Sequence, residues 1–210
     1  MMIDSSMSVK NIVLFGQTGA GKSSVVNLLA GEERAKTSPD MERCTMHWEE
    51  YPIAFDGCNY KVFDTVGLVE SQLKIEGHLD AIADARTLVT KLENEGGIDL
   101  LLFCVRPTRF TSTIENNHRR FCVQLLRKKK IPIVLLVTAL EDEQIMEDWW
   151  TRNKGIFEQS KIVVNDHACI TAVNLGGRYQ KLHEESRQLV RKLVRKYAQG
   201  SSHTHAEIYY

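Results

Sequence analysis

The sequence lacks an excess of either charge, because 27 Lys and Arg residues are matched by 27 Asp and Glu residues among its 210 residues. A protein that binds nucleic acid or an anionic membrane through bulk charge carries a basic surplus. A short basic run at 127–130 is more simply the end of a helix, where cations suit the helix dipole. The composition therefore predicts no nucleic-acid partner.

Long hydrophobic runs and paired cysteine motifs are also missing. No stretch approaches the roughly 18 consecutive apolar residues that cross a bilayer, so no membrane span is predicted. The five cysteines form no CxxC pair, and no secretory signal pattern is present. An odd number of scattered cysteines favours a reducing compartment. We therefore expect a cytoplasmic protein.

Strand-like and helix-like segments alternate along the chain, and Asp56-Gly57 is a hairpin signal between two of the strands. This order predicts an α/β fold of three layers, in which a mostly parallel six-stranded sheet has one antiparallel edge strand and helices on both faces. We expect one domain at 9–198, with flexible segments at 1–8 and 199–210. The predicted strands are 9–15, 45–55, 59–64, 98–105, 131–137 and 161–170, and the main helices are 22–30, 77–94, 114–130 and 179–197.

Residues 16–23 read GQTGAGKS and match the phosphate-binding pattern GxxxxGK[ST] at every fixed position, with a strand before and a helix after. Glycines let successive N–H groups turn toward phosphate oxygens, and the helix adds its positive end. Lys22 is expected to reach the β- and γ-phosphates, and Ser23 to ligate Mg²⁺. The motif does not distinguish GTP from ATP. The predicted phosphate contacts are Gly16, Gln17, Thr18, Gly19, Ala20, Gly21, Lys22, Ser23 and Ser24.

A second signal, Asp-Thr-Val-Gly at 64–67, ends an apolar strand. Asp64 can hold Mg²⁺ through water, and the Gly67 N–H can meet the γ-phosphate. Thr45 lies between the two motifs and could complete the metal shell, with Thr37 as a weaker rival. The predicted metal ligands are Ser23, Thr45 and Asp64, and the predicted catalytic residues are Lys22, Thr45 and Gly67.

These motifs, with Arg109-Phe110-Thr111 and the segment 167–172, resemble the small P-loop GTPases of the translation-factor-related class. Within it the chain is similar to the immunity-associated and septin-like GTPases and to G-domain proteins of mushroom-forming fungi. The resemblance covers about residues 10–197. It implies a P-loop G domain that binds GTP and GDP with Mg²⁺, hydrolyses GTP, and often dimerises through the nucleotide face.

The guanine-reading loop departs from that family's pattern. GTPases carry Asn/Thr-Lys-x-Asp after the fifth strand, whereas this chain has Thr138-Ala139-Leu140-Glu141-Asp142, without the stacking lysine. A carboxylate from Glu141, or from Asp142 with a shift of one residue, would pair with the N–H groups of guanine. The alternative is an acidic helix N-terminus, which leaves an ATP-binding protein open. The resemblance also implies base contacts from Thr138 and from Thr171-Ala172.

Leu68 stands where many small GTPases place the glutamine that orients water. Leucine cannot polarise water, so we expect slow hydrolysis without a partner. Arg106 or Arg109 could approach the nucleotide of a second copy, although a local ion pair explains each arginine more simply. The sequence therefore predicts a slow GTPase switch with an unidentified effector protein. The alternatives are a homodimerisation module stabilised by GTP, with little hydrolysis, and a P-loop ATP-binding protein.

Overall fold

The computed structural model describes residues 9–36, 48–65, 75–107, 112–119, 122 and 130–199. The terminal segments expected to be flexible lie outside these described residues, apart from Gln199. The same holds for Thr37, Thr45, Gly67, Leu68 and Arg109.

One six-stranded sheet forms the centre of the molecule, in the order β2-β3-β1-β4-β5-β6. Every neighbouring pair is parallel except β2 and β3, which form the hairpin at the edge. The predicted fold class is therefore confirmed. The strands are β1 (Lys10–Phe15), β2 (Trp48–Phe55), β3 (Cys58–Thr65), β4 (Leu100–Val105), β5 (Ile133–Val137) and β6 (Asp166–Cys169).

Helices connect the strands and cover both faces of the sheet. They are α1 (Lys22–Ala30), α2 (Ile75–Asn94), α3 (Ser112–His118), α4 (Met146–Gln159) and α5 (Gln180–Ala198). No helix in the described ranges combines the length and the apolar character that a membrane crossing needs.

The core has two halves, one on each side of the sheet. Ile12 and Leu14 of β1 pack toward α1 and α5, whereas Val13 and Phe15 pack in the half that contains residues of α2 and α4. Successive side chains of a strand point to opposite faces, so a strand covered on both sides is apolar at every position. This explains why β4, which is fully buried, is a continuous apolar run.

One sequence prediction is wrong in detail. The sequence predicts the last strand at 161–170, but β6 spans only Asp166–Cys169, because Lys161 has a φ of 54° and belongs to the turn that ends α4. On α5, the buried residues are Ser186, Val190, Leu193, Val194 and Ala198.

Four of the loops that leave the sheet at one edge carry the predicted contacts. Because β1, β3, β5 and β6 are parallel to one another, the segments that follow Phe15, Thr65, Val137 and Cys169 start at the same side. These are the segments in which the sequence places the phosphate, metal and base contacts. Ligands of open α/β sheets bind at this carboxyl edge.

Candidate functional site

The phosphate loop follows β1 and depends on glycine at defined positions. Gly16, Gly19 and Gly21 have φ values of 145°, 75° and 82°. A Cβ atom on Gly16 would lie 2.2 Å from the backbone oxygen of Cys104 in β4. Backbone therefore packs on backbone here, and the loop curls tightly enough for its N–H groups to converge on an anion.

Lys22 begins α1 and lies across this loop. Its side chain is buried, and Nζ donates to the carbonyl oxygens of Gly16 at 3.1 Å and Gln17 at 3.0 Å. Burial lowers the pKa of the Lys22 amine, and the nearby Asp64 carboxylate opposes part of that shift. The first amide groups of a helix have no partner within the helix. The amine and these amides form a cationic cradle suited to phosphate.

Ser23 and Asp64 meet beside this lysine. The Ser23 hydroxyl donates to Oδ2 of Asp64 at 2.6 Å, and Oδ1 of Asp64 is buried with no hydrogen-bond partner in the described part of the chain. Burial raises the pKa of Asp64, and the Ser23 hydroxyl and the Lys22 charge oppose this. A buried carboxylate oxygen without a partner, next to a hydroxyl, is a hard-oxygen donor set of the kind that Mg²⁺ takes.

Few of the described side chains at this site could ligate a metal ion. Within the described ranges, no group of three or more His, Cys, Asp and Glu side chains converges on a metal position. Mg²⁺ keeps waters and is commonly held by one or two protein groups together with substrate phosphates. Ser23 and Asp64 therefore fit the ion only alongside a phosphate ligand.

Thr138, which the sequence predicts as a nucleotide contact, has its side chain on the phosphate loop. Its hydroxyl donates to the carbonyl of Ala20 at 2.9 Å, and its side chain occupies the space next to Gly21. Thr138 is 2% exposed. Its side chain therefore packs against the phosphate loop and donates a hydrogen bond to the backbone of that loop. No sequence signal beyond its position after β5 pointed to this contact.

In the acidic loop after β5, one carboxylate has no partner among the described residues. Asp142 accepts a hydrogen bond from Tyr179 at 3.5 Å, and Glu143 forms an ion pair with Arg152 at 2.6 Å. The half-buried Glu141 has no hydrogen bond or ion pair with any described residue. Of the two acids proposed from the sequence, Glu141 is therefore the one left for a ligand.

Ala139 has a φ of 56°, which is unusual for a residue other than glycine. Next to it, the N–H of Leu140 donates to the carbonyl of Ile170 at 3.4 Å. The loop after β5 is thus joined to the loop after β6, where the remaining base contacts are predicted.

The loop after β6 is held by α5. Thr171 is fully buried, and its N–H donates to the Ser186 hydroxyl at 3.0 Å. The Thr171 hydroxyl faces away and contacts the sulfur of Met146 at 3.5 Å. Both the N–H and the hydroxyl of Thr171 are therefore engaged within the protein. Sequence reasoning did not identify Ser186.

A cavity of about 340 Å³ opens between α1 and the loop after β6. Ser24 and Ala172, two of the predicted nucleotide contacts, lie in its wall. Asn27, Asn174 and His183 add polar groups, and Glu32 and Glu33 line the cavity at the end of α1.

Comparison with known sequences points to one family. Residues 11–139 match the family described as 50S ribosome-binding GTPase. The immune-associated nucleotide-binding protein 7 of Arabidopsis thaliana is 33% identical over 190 residues, which cover 88% of this chain and 58% of that protein. The tRNA modification GTPase MnmE of Treponema denticola is 32% identical over 127 residues, or 60% of this chain and 25% of that protein. The chain thus spans less than two thirds of either relative.

Solved structures agree on the fold. Era from Aquifex aeolicus superimposes with a TM-score of 0.64 at 16% identity, over 96% of this chain and 61% of that one. Toc33 from Arabidopsis thaliana superimposes with a TM-score of 0.62 at 19% identity, over 93% of this chain and 86% of that one. The structural likeness at these identities concerns the fold alone.

Proposed function

The chain belongs to the GTPase family described as 50S ribosome-binding GTPase, and we propose that it is a guanine-nucleotide switch that hydrolyses GTP slowly. The observation that carries this proposal is the group formed by Lys22, Ser23 and Asp64. A buried amine lies across the phosphate loop, and a hydroxyl bonded to a buried carboxylate lies beside it.

Phosphate binding uses groups that are already in position. Lys22 exchanges its contacts with the carbonyls of Gly16 and Gln17 for contacts with the β- and γ-phosphates, and the loop amides meet the remaining oxygens. Ser23 and Asp64 are the residues that would hold Mg²⁺, which neutralises phosphate charge when bound. Thr45 and Gly67 are proposed to complete the γ-phosphate side of the site. Their loops would order with GTP and relax with GDP.

Guanine selectivity is assigned to Glu141 and to the backbone of Ala172. The Glu141 carboxylate would accept from N1–H and the 2-amino group, while the Ala172 N–H would donate to the 6-oxygen. Adenine offers no such donor pair. Support comes from Asp142 and Glu143, which contact Tyr179 and Arg152, whereas Glu141 has no described partner.

Hydrolysis is proposed to be slow because Leu68 stands where a water-orienting glutamine is common. Small GTPases without assistance turn over at about 10⁻⁴ to 10⁻² per second, and we place this chain in the lower part of that range. A single-turnover rate near one per second without a partner would contradict this assignment.

A second candidate is a homodimer that GTP stabilises. Three exposed apolar side chains flank the loops after β5 and β6: Ile145 is 60% exposed, Val173 48% and Leu175 50%. Dimerisation is described as important for the GTPase activity of Toc33 and a related chloroplast protein. Arg106, exposed after β4, is the described arginine that could approach a partner's nucleotide. Solution mass with GDP, compared with a non-hydrolysable GTP analogue, separates this dimer from a monomeric switch.

Nucleotide identity tests the proposed function. We expect guanine nucleotide to copurify with the protein, and GDP to displace labelled GTP far better than ATP does. Glu141→Gln should weaken GDP binding by about tenfold, the size of one lost charged hydrogen bond. Asp142→Asn, the matched control one residue along, should leave binding unchanged. Efficient displacement by ATP would make the chain an ATP-binding protein.

The proposal includes a cellular location and a class of partner for the switch. The described cysteines Cys58, Cys104, Cys122 and Cys169 are free, which supports a cytoplasmic location. The balanced charge supports a protein effector over nucleic acid.

A further inference from the structure

We propose that Ser186 of α5 is a positioning residue for base recognition, because it fixes the loop after β6 in the conformation that presents the Ala172 N–H. This inference rests on the proposed guanine site. It adds a residue that lies outside the loops that contact the nucleotide and acts on selectivity through the backbone.

The Ser186 hydroxyl is placed to hold a peptide group. It accepts from the N–H of Thr171 at 3.0 Å and donates its own proton to the carbonyl of Leu182 at 2.7 Å. Because the single hydroxyl proton is directed to Leu182, the lone pairs of the oxygen face Thr171. Both residues are buried, with Ser186 at 1% and Thr171 at 0% exposure. Water therefore cannot replace the bond.

A second residue of α5 lies beside the same segment. His183 lines the cavity together with Ala172, and burial lowers the His183 pKa while the Ala172 backbone opposes part of that shift. The peptide group between Thr171 and Ala172, whose N–H is proposed to face the base, follows directly on the peptide N–H that Ser186 holds. Because each peptide group is planar, fixing the Thr171 N–H limits the orientations open to the next peptide.

The presence of serine at position 186 also favours a specific role in holding the loop after β6. The other inner positions of α5 include Val190, Leu193 and Val194, which are apolar and buried. A hydroxyl in this row costs burial energy unless both of its hydrogen bonds are made. The Thr171 side chain gives the loop no equivalent support, because its hydroxyl contacts the sulfur of Met146.

The test compares Ser186→Thr with Ser186→Val, two side chains of the same shape of which only threonine keeps the hydroxyl. Three diphosphates are titrated against each variant. GDP has the 6-oxygen and the 2-amino group, IDP has only the 6-oxygen, and 2-aminopurine riboside diphosphate has only the 2-amino group.

We expect Ser186→Val to weaken GDP and IDP by about tenfold, the size of one lost buried hydrogen bond. Binding of the 2-aminopurine nucleotide, which lacks the partner of Ala172, should change less than about twofold. Ser186→Thr should keep the ratios of the unmodified protein. Val190→Ala is the control for stability loss on the same helix, and it should lower the melting temperature without changing these ratios.

Equal weakening of all three nucleotides by Ser186→Val would show a structural role alone and overturn the inference. Unchanged GDP binding would overturn it too. Ser186→Ala, which adds no volume, gives the same comparison if the valine variant does not fold. If the unmodified protein itself binds GDP no better than the 2-aminopurine nucleotide, the guanine site fails first. That result is distinct from a failure of Ser186.

Discussion

The hydroxyl of Thr138 donates to the backbone carbonyl of Ala20 at 2.9 Å, across 118 residues of sequence. The N–H of Thr138 also donates to the carbonyl of Val105 at 2.9 Å. One residue therefore ties the end of β4 to the phosphate loop. The position of the phosphate loop therefore depends on the residue that directly follows β5. The sequence alone predicts contacts with the base for that segment.

Thr138→Val should destabilise the conformation of the phosphate loop and leave the proposed base contacts unchanged. We expect the affinities for GDP and ADP to fall by the same factor, about three- to tenfold, because one hydrogen bond to the loop is lost. Isothermal titration with both nucleotides measures the two factors. Thr138→Ser keeps the hydroxyl and serves as the control. A loss confined to GDP would instead place Thr138 at the base.

Gly16→Ala should destabilise the folded protein by at least about 2 kcal/mol, because the new Cβ would overlap the Cys104 oxygen at 2.2 Å and the φ of 145° is strained for alanine. Urea denaturation measures the free energy of unfolding. Gly19→Ala is the matched control, since Gly19 has a φ of 75° but no described atom would lie within 4 Å of its added Cβ. It should cost only about 1 kcal/mol. Equal losses in the two variants would mean that backbone strain, and not the contact with Cys104, sets the cost.

Ala139→Lys should strengthen nucleotide binding by about two- to fivefold, because the added side chain can cover the face of the base. A purine face of either kind can be covered, so the gain should be shared by GDP and ADP. Fluorescence titration of both nucleotides gives the gains. In the comparison variant Ala139→Gly, relief of the positive φ should raise stability by about 0.5 kcal/mol without a gain in affinity. No gain from the lysine would indicate that the base lies away from residue 139.

Glu50 of β2 joins Lys91 of α2 at 2.8 Å and Lys61 of β3 at 3.1 Å. The hydrogen bond from Lys91 is the largest cause that lowers the pKa of Glu50 below its ordinary value of 4.5. A carboxyl with a lowered folded-state pKa stabilises the protein above its unfolded-state pKa. That contribution is lost as the pH falls through the lower folded value.

Glu50→Gln should therefore lower the free energy of unfolding at neutral pH by about 0.5–1 kcal/mol, a modest amount because the group is partly exposed. The difference from the unmodified protein should shrink toward zero below about pH 4 and also in high salt. Urea denaturation across this pH range measures it, and Glu158→Gln on the exposed surface of α4 is the control. A difference that persists at low pH would show that packing, and not charge, is responsible.

The sheet could be predicted from the sequence because strands that are covered on both faces are apolar at every position. β4 and β5 are continuous apolar runs, and the hairpin between β2 and β3 has Asp56-Gly57 at its turn. The phosphate loop was equally clear, since each of its fixed residues has a local steric or electrostatic reason. The family assignment that followed from these motifs is confirmed.

The prediction of a strand at 161–164 is wrong because the three consecutive β-branched residues Ile162 to Val164 are typical of a strand, although the segment forms a turn here. The N–H of Ile162 donates to the carbonyl of Phe157 at 3.0 Å, which closes the end of α4. Ile162 is then buried and Val163 is 74% exposed. A helix end of this type depends on the left-handed Lys161, which nothing in the local sequence required.

Thr138 and Ser186 could not be assigned from sequence for a different reason. Each acts through one hydroxyl on a backbone group that only the tertiary fold brings near. The available signal was weak: Ser186 is a small polar residue in a row of apolar positions on α5. Such a residue is worth testing as a backbone partner when its helix packs behind a loop.

The dependence of the loop after β6 on α5 has a consequence for the order in which the parts of the proposed site form during synthesis. The phosphate loop at 16–23 and its support from Thr138 are both synthesised before α5. Ser186, which holds the loop after β6, is synthesised later than both. A nascent chain therefore has its phosphate cradle well before residues 171–172 are held in place. Under the proposed base recognition, discrimination between bases would become available only when α5 has docked.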